Sequence, residues 1–173
     1  MERKLSKIYT SYATLFFALI ISSFSAHSQE FTPISSPSDQ IKVVDGDSLE
    51  IKNQRIRLIG IDAPEYSQTC KNSENKKYNC GTQSTNFLKK LIENKTVTCH
   101  PHSKDKYDRL LCTCYIGSTD INKEMVKNGH AILYIEDKYL QDQQHAKNHK
   151  LGIWHGNFIH PRLFRKLQEL KKH

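Results

Sequence analysis

The 173-residue sequence has no internal repeat and no low-complexity segment. That excludes a repeat array and a compositionally disordered chain. It also lacks an apolar run long enough for a membrane span. The longest, Tyr12 to Phe24, is broken by Thr14, Ser22 and Ser23 and falls short of the ~20 residues a spanning helix needs. The five cysteines lack a zinc pattern, since Cys112-Thr-Cys114 has one residue between thiols and no suitable second pair.

What is present at the start reads as a three-part export signal over residues 1–28. Arg3, Lys4 and Lys7 precede the apolar run, and Ala26-His27-Ser28 puts small residues where a signal peptidase reads. No cysteine near that cut would take a lipid, so the expected product is exported, periplasmic or secreted, with no stable membrane anchor. All five cysteines, Cys70, Cys80, Cys99, Cys112 and Cys114, lie beyond the signal, where an oxidising compartment permits disulfides. Hydrophobic residues make up 37% and charged residues 25%, the balance of a single globular domain. The net charge of +8 suits a polyanionic partner without specifying one.

Residues 29–40, with Pro33, Pro37 and several Ser and Thr, read as a flexible leader. Strand patterning begins at Ile41. Residues 41–44, 48–52 and 55–61 form an expected three-stranded meander, its first turn at Asp45-Gly46. Asp62 to Gly81 is a long loop of the kind that is commonly functional. Thr82 to Glu93 carries Phe87, Leu88, Leu91 and Ile92 at helical spacing. Residues 95–100 and 109–116 are two further strands. Asp120 reads as the N-cap of a short helix stopped at Asn128-Gly129. Residues 131–135 are a last strand and 139–150 a polar helix. Residues 161–173 are a basic tail in which 162–172 can coil with Leu163, Leu167 and Leu170 inward. The expected class is α+β and β-rich, compatible with a five-stranded OB-type barrel packed by about three helices.

Three segments carry chemistry: Val44-Asp45-Gly46-Asp47-Ser48, Ile56 to Glu65, and Asp105-Lys106-Tyr107-Asp108-Arg109. Asp45, Asp47, Asp62 and Glu65 offer hard oxygen donors for Ca²⁺ or Mg²⁺. Arg57 and Arg109 are permanently charged forks suited to a phosphate. Carboxylates for a metal plus two arginines match the needs of phosphodiester cleavage, in which negative charge builds on phosphoryl oxygens. One geometric problem stands out. Arg57 and Asp62 are five residues apart, so a straight strand would point them to opposite faces. A bulge near Gly60 or a bend at Asp62 must bring them together.

VVDGDS, IRLIGIDAPE and DKYDR, in that order, together with Gly129-His130-Ala131 and Leu151-Gly152-Ile153-Trp154, resemble the staphylococcal-nuclease (thermonuclease) family over residues 41–160. The resemblance implies an OB-type barrel and a Ca²⁺-dependent nuclease that cleaves DNA and RNA to 3′-phosphate products. By position, Asp47, Asp62 and the backbone carbonyl of Ala63 would hold Ca²⁺, with Asp45 standing behind them. Glu65 would orient or deprotonate the attacking water, and Arg57 and Arg109 would clamp the phosphate. Lys106, Tyr107 and Tyr134 are candidate substrate contacts. Asp108 stands where the family usually has glycine; if that position needs a positive φ, Asp is a tolerable substitute at some strain, and its charge could pair with Arg109. The alternative reading is a non-catalytic OB-fold module that binds nucleic acid. The expected form is a monomer. Cys70–Cys80 would close the loop after Glu65. Cys99 can reach Cys114 or Cys112 across one hairpin, and similarity to exported members favours Cys99–Cys114, leaving Cys112 free.

Overall fold

The structure, a computed structural model, describes residues 31–135 and 137–172. The export signal expected over residues 1–28 lies outside the described residues. Among these residues no helix is long and apolar enough to cross a membrane.

The meander forms as patterned: β2 (Ile41–Asp45), β3 (Ser48–Ile51) and β4 (Gln54–Leu58) pair antiparallel in sequence. The long hairpin of β8 (Thr96–Lys104) and β9 (Leu110–Ile116) joins it through a parallel pairing of β4 with β9, Arg57 opposite Leu111. That junction places the start of β9, and so Arg109, beside Arg57. These five strands are the body of the OB-type sheet of an α+β fold, and the short β10 (Thr119–Asp120) pairs with β9 beside them.

Around it lie α1 (Cys80–Ile92), α2 (Ile121–Lys127), α3 (Leu140–Asn148) and α4 (Pro161–Leu170), the last of them the stretch that the sequence reads as able to coil. Leu49, Ile51, Ile56, Leu58, Val97 and Leu110 of the sheet share one core with Leu88 and Ile92 of α1 and Ile121, Met125 and Val126 of α2. Asp120 caps α2 by accepting a hydrogen bond from the Lys123 N–H.

Two expectations are corrected. Residues 34–37 of the expected leader form β1 (Ile34–Pro37), paired antiparallel to β8 with Ile34 opposite Cys99. The open edge of β8 offers unpaired backbone groups, and an edge strand tolerates the Ser and Pro that made this stretch look like loop. In α4 the leucines face the other way: Leu163, Leu167 and Leu170 are 50%, 38% and 65% exposed, and only Pro161 is buried. The inward side carries Arg165 together with Pro161 and half-buried Phe164.

The loop after Asp62 is tied down at several points. It contains a short hairpin, β6 (Cys70–Lys71) with β7 (Lys77–Tyr78). Cys70 and Cys80 are bonded, which fixes the hairpin to the start of α1. Cys99 and Cys114 face each other in register and are also bonded, and Cys112 is a buried free thiol. Burial pushes the Cys112 thiol up to about 12, so it carries no thiolate at neutral pH.

His130 sits where α2 turns toward β11 (Ile132–Leu133), stacked on Phe87 at 4.1 Å. Burial lowers its pKa from 6.5 to about 4. The folded state therefore binds fewer protons than the unfolded chain between those values, so stability falls as pH drops from 6.5 toward 4. His130→Phe keeps the stacked ring and removes the titration. In guanidinium unfolding, the stability lost between neutrality and about pH 4.5 should be smaller in this variant by about 2 kcal/mol. An equal loss in both proteins would show that His130 does not titrate as stated.

Candidate active site

The turn between β2 and β3 delivers Asp47. Its Gly46 is required by a close approach: a Cβ there would stand 1.9 Å from Ser84 Oγ of α1 and 2.7 Å from Ala63 Cβ. The turn is thereby pressed against both α1 and the segment that carries Asp62. Asp47 is buried and fully engaged. It accepts hydrogen bonds from Ala63 N–H at 2.6 Å, from Ser48 Oγ at 3.0 Å and from Arg57 Nη1. Asp45 stands behind it and accepts from the Asp47 N–H at 3.0 Å. Burial pushes the Asp47 carboxyl up, Arg57 draws it back, and the negative Asp45 adds to the rise, so the net direction is upward.

The bend anticipated between Arg57 and Asp62 is present. β4 ends at Leu58, Gly60 takes φ 78°, and β5 (Ile61–Asp62) pairs with β11 instead of continuing the first sheet. Buried Asn122 of α2 holds the bend by donating to Ile59 O at 2.9 Å and Cys112 O at 3.1 Å while accepting from Cys114 N–H. Arg57 and Asp62 consequently meet, with Nη2 at 2.8 Å from Oδ1. Burial works against the Arg57 charge, but Asp47 and Asp62 outweigh it and raise its pKa.

Glu65 follows one turn later. Its backbone is held by buried Gln68, whose Oε1 accepts from Glu65 N–H at 3.3 Å and whose Nε2 donates to Ile159 O at 2.6 Å. The 105–109 loop is organised by Asp105, which accepts from the backbone N–H groups of Tyr107 and Arg109 and from Arg109 Nε at 2.8 Å. Burial would raise the Asp105 carboxyl, but these bonds hold it below the usual range. Asp108 adopts φ 62°, the conformation expected at a glycine position, and it pairs with Lys104 at 2.8 Å rather than with Arg109.

These parts open onto a groove of about 910 Å³. Arg57, Glu65, Arg109, Lys106, Tyr107 and Tyr134 all line it, with Asp45 at its edge. Asp47, Asp62 and Ala63 lie buried behind Arg57. Arg109 does not touch the carboxylates and turns to Asp105.

The sequence reading missed the residue that α4 adds. Arg165 Nη1 lies 2.9 Å from Asp62 Oδ1 and 2.7 Å from Glu65 Oε1, and Nη2 lies 3.2 Å from Asp62 Oδ2. Arg162 and Lys166 of the same helix line the groove, as does Arg55 of β4. The spacing of Arg162, Arg165, Lys166 and Glu169 is the period of one helix face. Turning Leu163, Leu167 and Leu170 inward hides that signal. Among the described residues, no three carboxylate, His or Cys side chains are gathered closely enough to hold a metal ion as they stand. Asp62 and Glu65 are oxygen donors already bridged by a cation, the Arg165 guanidinium.

The family model described as "Staphylococcal nuclease homologue" matches residues 55–156. Succinoglycan biosynthesis protein ExoI of Rhizobium meliloti strain 1021 is 32% identical over 120 residues, 66% of this chain, and the match spans 63% of that protein, under two thirds of its length. An uncharacterized endonuclease of Escherichia coli O157:H7 is 35% identical over 125 residues, 66% of this chain and 74% of the relative. An uncharacterized endonuclease of Haemophilus influenzae is 34% identical over 140 residues, 75% of this chain and 73% of the relative. With the sheet topology, the bend at Gly60 and the carboxylate–arginine cluster in hand, these matches show that the chain belongs to the family of staphylococcal nuclease homologues.

Proposed function

We propose that the chain is an exported, calcium-dependent nuclease that hydrolyses phosphodiester bonds of DNA and RNA and leaves 3′-phosphate ends, with the nuclease domain over residues 41–160. The observation that carries this reading is the meeting of Asp47, Arg57, Asp62 and Glu65 at one end of a groove that Arg109 enters from β9. Export accords with two disulfides, which persist in oxidising compartments.

Asp47, Asp62 and the Ala63 carbonyl would hold the calcium ion, a hard cation suited to oxygen donors. When bound it would neutralise charge on the scissile phosphate and favour ionisation of a nearby water. Glu65 accepts the proton of the attacking water. The water oxygen bonds to phosphorus, the P–O5′ bond breaks, and the leaving oxygen takes its proton from solvent, because a guanidinium stays charged at any working pH. Arg57 and Arg109 donate to the phosphoryl oxygens from two strands, so they bind most strongly the charge of the transition state. Lys106 adds charge beside the nucleic-acid backbone, and exposed Tyr107 and half-buried Tyr134 offer faces for bases to stack on.

The test is degradation of single- and double-stranded DNA and of RNA by purified residues 29–173. Cleavage with Ca²⁺ that stops with chelator is expected, together with 3′-phosphate ends on the products. Undiminished cleavage in chelator would remove calcium from the reading. Tight binding with no cleavage under either condition would favour a non-catalytic binding module.

A further inference from the structure

We infer that Arg165 is an internal counter-cation, carried on a displaceable helix, that closes the active site until a divalent metal ion takes its place. The inference rests on the calcium reading above and adds what holds the site when calcium is scarce.

Three observations support it. First, the Arg165 guanidinium binds the two carboxylates that matter most, spanning Asp62 with both Nη atoms and reaching Glu65 with one. A cation coordinated by Asp62, or a water activated by Glu65, needs the lone pairs that Arg165 now uses. Second, Asp62 is fully buried. Arg57 also holds Asp62 but is shared with Asp47, so without Arg165 two buried carboxylates have one guanidinium between them, and Arg165 leaves readily only in exchange for another positive charge. A divalent ion supplies that charge, and simple thermal opening does not.

Third, helix α4 is built to let go. Its leucines point outward, Pro161 alone is buried and Phe164 is half-buried, so little apolar surface fastens it. The chain before it is anchored: Asn157 pairs with Lys71 through two backbone bonds of 2.8 Å, and Gln68 holds Ile159 O. The hydrogen-bonded anchors stop at Ile159. Beyond them, His160 Nδ1 stands 4.0 Å from Asp62 Oδ2 at the start of α4, and among the described residues of the helix itself the ion pairs of Arg165 are the polar contacts to the site. Breaking them frees residues 161–170 without disturbing the sheet. After exchange, Arg162 and Lys166 remain tethered beside the groove.

The test measures calcium binding and helix mobility, with no nucleic acid present. Calorimetric titration of Arg165→Gln with Ca²⁺ should give an affinity at least about tenfold tighter than the unsubstituted protein, because no internal cation competes. Arg165→Lys, which keeps the charge but loses the two-pronged contact, should fall between them. In the unsubstituted protein, amide hydrogen exchange over 161–170 should speed up on adding Ca²⁺ while exchange in β2 to β4 does not. In Arg165→Gln it should be fast from the outset. Equal or weaker calcium affinity in folded Arg165→Gln would overturn the inference and leave the calcium reading standing. Exchange over 161–170 that calcium leaves unchanged in the unsubstituted protein would also overturn it, even if the variant did not fold. Failure of both proteins to bind calcium would sink the inference and the calcium reading together.

Discussion

Arg109→Ala should lower kcat by roughly 10²-fold or more while the protein unfolds at nearly the same denaturant concentration. Loss of one preorganised donor to a developing oxyanion commonly removes a few kcal/mol of transition-state stabilisation. The fold has little stake in this side chain. It is 28% exposed, and its ion pair is with Asp105 on the same loop, a local surface pair worth at most about 1 kcal/mol. Asp105 would keep its bonds to the backbone N–H groups of Tyr107 and Arg109, so the loop should hold its shape.

Arg57→Ala is the instructive contrast. Arg57 neutralises Asp47 and Asp62, both almost wholly buried. Removing it leaves buried carboxylates short of one cation, which costs about 3–5 kcal/mol where no other charge moves in. Both variants should lose activity, but Arg57→Ala alone should lose stability. The measurements are steady-state rates on a defined oligonucleotide and guanidinium unfolding of each protein. A normal rate in folded Arg109→Ala would take that residue out of the site.

Glu65→Gln should lower kcat by about 10²–10⁴-fold, the range associated with losing a positioned general base. Glutamine retains the size of glutamate and an oxygen for Arg165, so the groove should be little altered. What it lacks is a group that can take the proton of the attacking water. The backbone that aims the side chain is independent of its charge, being fixed by Gln68 and by the disulfide downstream. Calcium affinity should not fall, because the assigned ligands are Asp47, Asp62 and the Ala63 carbonyl. A folded Glu65→Gln protein with an unreduced rate would show that the base lies elsewhere.

The sequence by itself determined the class of fold and most of the candidate site, for reasons that are local. Alternating apolar residues at 41–61 specify strands because the side-chain period of a strand is two. Asp120 reads as a cap because its carboxylate can satisfy a free helical N–H. The Asp45–Asp47 turn, the Gly60 bend and the Asp105–Arg109 loop announce themselves through residues that turns require. The Arg57–Asp62 spacing even posed the question that the bend at Gly60 answers.

What only the tertiary structure decided depends on surfaces that sequence period cannot identify. The pairing of β1 relies on the free edge of β8, some 60 residues away in the chain. The agent that holds the Gly60 bend, Asn122, comes from a helix of different periodicity altogether. Helix α4 is the clearest instance. Its pattern says that a leucine face and an arginine face lie on opposite sides, and experience with soluble cores turns the leucines inward. Here the neighbouring surface is not a core but a buried aspartate beside a glutamate, short of positive charge. Arg165 satisfies both carboxylates, and leaving Asp62 to share Arg57 with Asp47 would cost more than exposing three leucines to water. The orientation of the helix follows from that balance, and no reading of residues 161–173 alone contains it.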